Sequence, residues 1–177
     1  ADSGLKEADL EMHGVFRAIP SNYYGPLTYE NVDLGNLGPA ADTIEESSLS
    51  PLFVAEVPGL PGGFELFRAT TRGGGINNSM QQTYFDERGA QIQVSRGRPG
   101  RLPIDVPYAL SALKEGASLE FVKLGAADAY VWKMPAIERV DVVFFDQGSG
   151  VLTHVSGDLV PADVILAIAQ QLAHRGA

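Results

Sequence analysis

The apolar and polar positions in the last third of the chain fall into short runs and then change period. Ala127-Asp128-Ala129-Tyr130-Val131-Trp132, Val140-Asp141-Val142-Val143-Phe144-Phe145 and Gly150-Val151-Leu152-Thr153-His154-Val155-Ser156-Gly157 are rich in the β-branched and aromatic residues that suit strands. From Pro161 to His174 the spacing becomes helical. There Ile165, Ile168, Ala169 and Leu172 form one apolar stripe, Pro161 suits the helix start, and His174, Arg175 and Gly176 suit its end. Consecutive strands feeding one amphipathic helix predict a sheet with a helical cover.

The middle of the chain extends the pattern. Leu52 to Val57 and Phe64 to Thr70 flank the turn Pro58-Gly59-Leu60-Pro61-Gly62-Gly63 and read as two strands. After a glycine-rich loop from Arg72 to Asn78, Met80 to Phe85 and Ala90 to Ser95 bracket Asp86-Glu87-Arg88-Gly89 as a hairpin. Gly89 can supply the positive φ that short hairpin turns require. Gln91, Gln93 and Ser95 alternate with Ile92 and Val94, so one face of this hairpin is expected to be wet. Val106, Ala109, Leu110 and Leu113 recur at helical spacing between Asp105 as N-cap and Gly116 beyond the C-terminus, which predicts a short helix from Asp105 to Glu115. Ser118 to Leu124 supplies a further strand.

The predicted fold is α+β: a curved, mainly antiparallel sheet of about six to eight strands covered by the C-terminal helix, with one additional short helix. Neighbouring side chains on a strand point to opposite faces, so Phe144-Phe145 predicts a second covered face, an interface or an apolar groove.

Residues 1–50 carry mainly turn signals, Pro20 to Pro26 and Leu34 to Pro39, around one strand-like run from Leu10 to Ile19. Residues 42–47 suit one helical turn, because Asp42 or Thr43 can cap it and Glu45 and Glu46 complement the helix dipole. Charge separates this stretch from the rest. It holds two basic and nine acidic residues, a net −7, against eleven and thirteen in residues 51–177, a net −2. The expected organisation is an irregular acidic arm, 1–50, and one α+β domain, 51–177.

An acidic chain without a basic stripe argues against nucleic acid as a partner, since that binding rests on neutralising phosphates. The absence of cysteine removes disulfides, thiolate catalysis and cysteine-held metal centres. No apolar run approaches the roughly 20 residues that a spanning helix needs. A first residue of Ala1 rather than Met is what a mature or trimmed product would show, its signal peptide or membrane tether having stood upstream.

The candidate chemistry is sparse. His13, His154 and His174 lie in three different elements without metal-ligand spacing, which predicts structural or surface roles. Ser111-Ala112-Leu113-Lys114 has the Ser-x-x-Lys spacing of penicillin-recognising enzymes but none of their other motifs. Gly73-Gly74-Gly75 lacks the Lys-Ser/Thr pair and the following helix of a phosphate cradle. Asp86-Glu87 and Glu45-Glu46 read as solvated charge, and Arg88, Arg96, Arg98 and Arg101 as scattered or loosely clustered basic residues. No catalytic residue, metal site or cofactor is predicted, and a non-enzymatic role is expected. A ligand or partner is expected between helix and sheet, at Trp132, Phe144 or Phe145 and Ile168, or on the arm at Tyr23, Tyr24 and Tyr29.

Pro58 to Leu66, the Tyr84-centred strand, Val122-Lys123-Leu124-Gly125 leading to Tyr130-Val131-Trp132, and Thr153 to Leu159 before the Ile165 to Leu172 helix are similar in order to one bacterial family. Residues 51–175 resemble the extracytoplasmic sensory domain at the C-terminal end of many anti-sigma factors and related lipoprotein-like sensors. The chain departs from the pattern at Val160-Pro161, where a Ser or Thr cap is usual, and in the arm before Ser50. The resemblance implies a protein-binding or signal-sensing module outside the cytoplasm, tethered by a membrane helix in the full-length protein. The alternative is a periplasmic carrier that holds a lipid or lipoprotein acyl chain between sheet and helix. Cavity volume discriminates the two.

Overall fold

The computed structural model describes residues 44–72, 79–97 and 118–175. Seven strands form one open antiparallel sheet: β1 (Glu65–Arg72), β2 (Ser79–Phe85), β3 (Gln91–Gly97), β4 (Ser118–Leu124), β5 (Ala127–Met134), β6 (Arg139–Asp146) and β7 (Val151–Asp158). Their spatial order is β1-β2-β3-β7-β6-β5-β4. Two meanders, β1 to β3 and β4 to β7, therefore join edge to edge through β3 and β7, where Val94 faces Val155 and Ser95 faces His154. A short helix, α1 (Ile44–Ser47), precedes the sheet, and a longer one, α2 (Ala162–Arg175), follows it. The α+β architecture is the one the sequence pattern predicts. The Asp105–Glu115 helix, the Leu10–Ile19 strand and the Gly73–Gly75 loop lie outside the described residues.

Strand alternation sorts the side chains onto two faces. Tyr84, Ile92, Val94, Ala129, Val131, Val140, Val142, Phe144 and Val155 share the near face and pack with Ile165, Ile168, Ala169 and Leu172 of α2. Ile165, Ile168 and Ala169 have no solvent exposure. Gly157 marks how close this approach is, since a Cβ there would stand 2.5 Å from Ile165 Cδ1 and 3.1 Å from Val160 Cβ. Only a residue without a side chain lets the isoleucine rest on the β7 backbone.

The rest of the near face is covered by residues 48–64, an irregular strap between α1 and β1. Leu52 to Val57, which reads as a strand in the sequence, is not one here. Its backbone groups bond side chains and near neighbours in its own turns instead of a neighbouring strand, the Phe53 N–H donating to Ser50 O at 3.0 Å. The Val54 N–H donates to Gln82 Oε1 at 2.8 Å, and Gln82 Nε2 donates to Val54 O at 3.0 Å. Arg96 Nη1 donates to Leu52 O at 3.3 Å. Ser47 is buried, its Oγ donating to Ala69 O at 2.9 Å, so packing against the sheet reaches back across residue 50.

Two loops close one end of the sheet. Pro135–Ile137 forms a single 3₁₀ turn after β5, followed by Glu138 at φ 49°. Leu159, at φ 59°, follows β7, and its N–H donates to Glu138 O at 2.9 Å. This one bond ties the β5–β6 connection to the entry of α2, and it is made by two non-glycine residues in the left-handed region.

Candidate functional site

The far face of β4 to β7 concentrates the side chains the core does not absorb. Tyr130 and Trp132 stack, with ring centroids 5.8 Å apart, and Phe121 meets Tyr130 edge to face at 4.8 Å. Val143, Phe145 and Leu152 complete this apolar field, and all three are buried. Phe144 and Phe145 are both shielded from solvent, so the sheet is covered on both faces at that point. The indole N–H of Trp132 is buried without an acceptor among the described residues.

A charged cluster sits inside this field. Asp141 lies between Val140 and Val142 on β6, and alternation turns it to the far face with Val143 and Phe145. Arg139, two residues earlier, grips it in a bidentate fork: Nε donates to Oδ2 at 2.8 Å and Nη2 to Oδ1 at 2.9 Å. The remaining Nη1 reaches both carboxylate oxygens of Asp158 on β7 at 3.3 Å. From β7, His154 donates Nε2–H to Asp141 Oδ1 at 2.6 Å. Burial pushes the Asp141 carboxyl up, but the hydrogen bonds and charges of His154 and Arg139 outweigh it and hold the group below the usual carboxylate range. Only 6% of Asp141 is exposed, so this is a buried anion held by two donors.

Ser95 faces His154 from β3, which sets serine, imidazole and carboxylate in a row across three strands. The row lacks the geometry of acyl transfer. Ser95 Oγ accepts from Gln93 Nε2 at 3.4 Å, and no hydrogen bond joins it to His154 among those described. β3, β7 and β6 are interior strands, so their backbone N–H groups are engaged in the ladder and do not converge on an oxyanion. What the arrangement does chemically is brace β6 against β7 with a buried carboxylate at its centre.

The structure divides the residues the sequence singles out. Phe144 and Ile168 lie in the near-face core, whereas Trp132 and Phe145 belong to the far face, so these four line no common groove. Tyr23, Tyr24, His13, Ser111 and Lys114 lie outside the described residues. His174 closes α2 from outside, donating Nδ1–H to Gln170 O at 2.7 Å. Arg88 pairs with Asp86 in the hairpin turn, and Arg96 is on the near face, half-buried, so these two do not form one patch. Burial depresses the Arg96 guanidinium, partly offset by the charge of Asp146. Sequence reasoning missed the Arg139–Asp141 brace, although its signal was present as one acid within an otherwise apolar strand.

Two clefts stand out among the described residues, and the second reaches between the C-terminal end of α2 and the sheet. One, of about 310 Å³, is lined by residues including Met134, Glu138, Leu159 and Pro161 near the start of α2. The other, of about 180 Å³, is lined by Ala173 and His174 at the end of α2 and by Ala127, Phe144 and Phe145 of the sheet, so Phe144 and Phe145 of the expected groove both border it while Trp132 and Ile168 do not. No group of three or more metal-ligating side chains occurs among the described residues, and no described helix is long and apolar enough to cross a membrane. No family model, no curated protein and no solved structure matches this chain.

Proposed function

We propose that the chain is a non-enzymatic interaction or sensory domain that works outside the cytoplasm of a bacterium, in the manner of the anti-sigma factor sensory domains its sequence resembles. The observation that carries this reading is the filled helix–sheet interface. Ile165, Ile168 and Ala169 are fully buried, and Gly157 leaves no space beneath α2. A carrier needs an enclosed apolar cavity of several hundred cubic ångströms in that place. The larger cleft, near the start of α2, is lined by no residue of the helix, and the one that reaches under its end holds only about 180 Å³. Exposed Ile137 and Leu159, on the two tied loops, add apolar contact surface beside the larger cleft.

The experiment is native mass spectrometry of the protein purified from its own host, followed by denaturation of the same sample. A bare chain or a complex with another protein is expected. A co-purifying lipid at one copy per chain would replace this reading with the acyl-chain carrier.

A further inference from the structure

Three features coincide at the end of the sheet where β5 turns into β6 and β7 leads into α2. The first is backbone strain. Glu138 and Leu159 are the two non-glycine residues of positive φ among the described residues, at 49° and 59°, and one hydrogen bond joins them. A glycine at 159 would hold that conformation without strain, so the leucine side chain has to return the cost through packing. Within the chain it returns little. Leu159 is 52% exposed and Ile137, on the tied loop, 55%, and this apolar protrusion is the second feature. The third is the adjoining cleft of about 310 Å³, whose lining includes Met134, Pro135, Val140, Val160 and Pro161. Its volume stands at the bottom of the roughly 300–1,000 Å³ of small-molecule sites, so it admits a protruding side chain better than it encloses a ligand.

Protrusion and hollow thus stand side by side on one surface. A two-fold rotation makes such a patch self-complementary, because it carries the protrusion of one copy over the hollow of the other. The charges at the rim obey the same symmetry. Glu138 and Lys133 border the cleft with opposite signs, and the rotation turns each copy's carboxylate towards the other's ammonium. Lys133 holds Glu120 at 2.8 Å, yet its side chain is 32% exposed and an ammonium has donors for a second acceptor. A lipid surface fits less well, since Glu138 follows directly on Ile137 and would be drawn towards the hydrocarbon without a cation to receive it. We propose that this end of the sheet is a self-association surface, on which Ile137 and Leu159 of one copy enter the cleft of a second copy of the chain in an isologous dimer. This rests on the interaction-domain reading and supplies its surface and partner. Two loops and one cleft make a small interface beside the roughly 800 Å² per partner of a standard one, so the dimer is weak and concentration-dependent.

Sedimentation velocity of the full chain, in a series reaching about 0.5 mM, reads the association. A dimer that grows with concentration is expected. Ile137→Asp and Leu159→Asp should each weaken it by roughly tenfold or more, by setting a carboxylate against the apolar lining, and both side chains are exposed enough for the fold to accept the change. Aspartate also adopts the left-handed backbone more readily than leucine. Glu138→Lys should weaken it about threefold, since its ammonium would face Lys133 of the second copy. Phe67→Asp, exposed on the edge strand β1, should leave it unchanged. A chain that stays monomeric across the series overturns the proposal, as does a dimer that any of the first three variants leaves intact or that Phe67→Asp disrupts equally. Flotation with phosphatidylcholine vesicles in place of self-association would assign the surface to a membrane and overturn it too. The broader reading survives each of these results, because it falls only on a co-purifying lipid.

Discussion

The two faces of the sheet solve the same burial problem by opposite means. On the near face beneath α2, Ile165 and Ile168 meet Val131, Val142 and Val155, and apolar fit dominates the stabilisation there. On the far face, aromatic rings lie beside an ion cluster, and the energy there depends on the charged groups finding their partners. A packed apolar face tolerates nothing missing in volume. A face with a buried carboxylate tolerates no loss of the donors that hold it, even though the Trp132 N–H on the same face has no acceptor among the described residues.

Substitutions can sharpen this contrast. The largest effect is expected from Ile165→Ala, which removes a fully buried side chain against Gly157 and should cost about 4 kcal/mol in urea denaturation. A loss below about 1 kcal/mol would mean that the near face is loosely packed. Asp141→Asn on the far face should cost less, about 2 kcal/mol, because Arg139 keeps Asp158 when its first partner loses charge. If the cost instead exceeds that of Ile165→Ala, the far face carries the greater share of the stability.

Acid should separate the two faces as well. The folded carboxyl of Asp141 lies below its unfolded value, so its contribution is complete above the unfolded pKa and disappears as pH falls through the folded one. Unmodified protein is therefore expected to lose stability more steeply than Asp141→Asn below about pH 4, read from urea midpoints across the range. Burial raises Asp86 and Asp146, but their turn hydrogen bonds outweigh it and hold both below the usual carboxylate range; both remain in Asp141→Asn and so cancel from the comparison. Parallel curves for the two proteins would show that the brace does not retain its ionised form. The smallest effect belongs to Trp132→Phe, which deletes an unsatisfied buried N–H and should change stability by no more than about 1 kcal/mol in either direction. A larger loss would indicate that the indole has an acceptor in solution.

Legibility in the sequence followed the range of the interactions. The C-terminal helix, the β2–β3 hairpin and the strands β4 to β7 were readable because each rests on local periodicity and turn residues, with Gly89 at φ 83° where the hairpin turn needs it. Leu52 to Val57 was misread for the same reason. Its β-branched and aromatic composition is that of a strand, but its long-range hydrogen-bond partners are the side chains of Gln82 and Arg96, 28 and 44 residues away along the chain. Those partners could not be inferred from spacing.

The expected groove shows the same limit. Alternation alone placed Phe144 and Phe145 on opposite faces, but whether Trp132 joined Phe144 or Phe145 depended on strand register. Pairing of Trp132 with Asp141 and Ala129 with Phe144 put Trp132 on the far face, away from Ile168. By itself the sequence determined that there would be an antiparallel sheet under a C-terminal helix, because hydrophobic period and turn chemistry act between near neighbours. Only the tertiary structure decided that Arg139, Asp141 and His154 would meet, and that the strap would be bound by side chains, because both depend on register between strands that no local signal encodes.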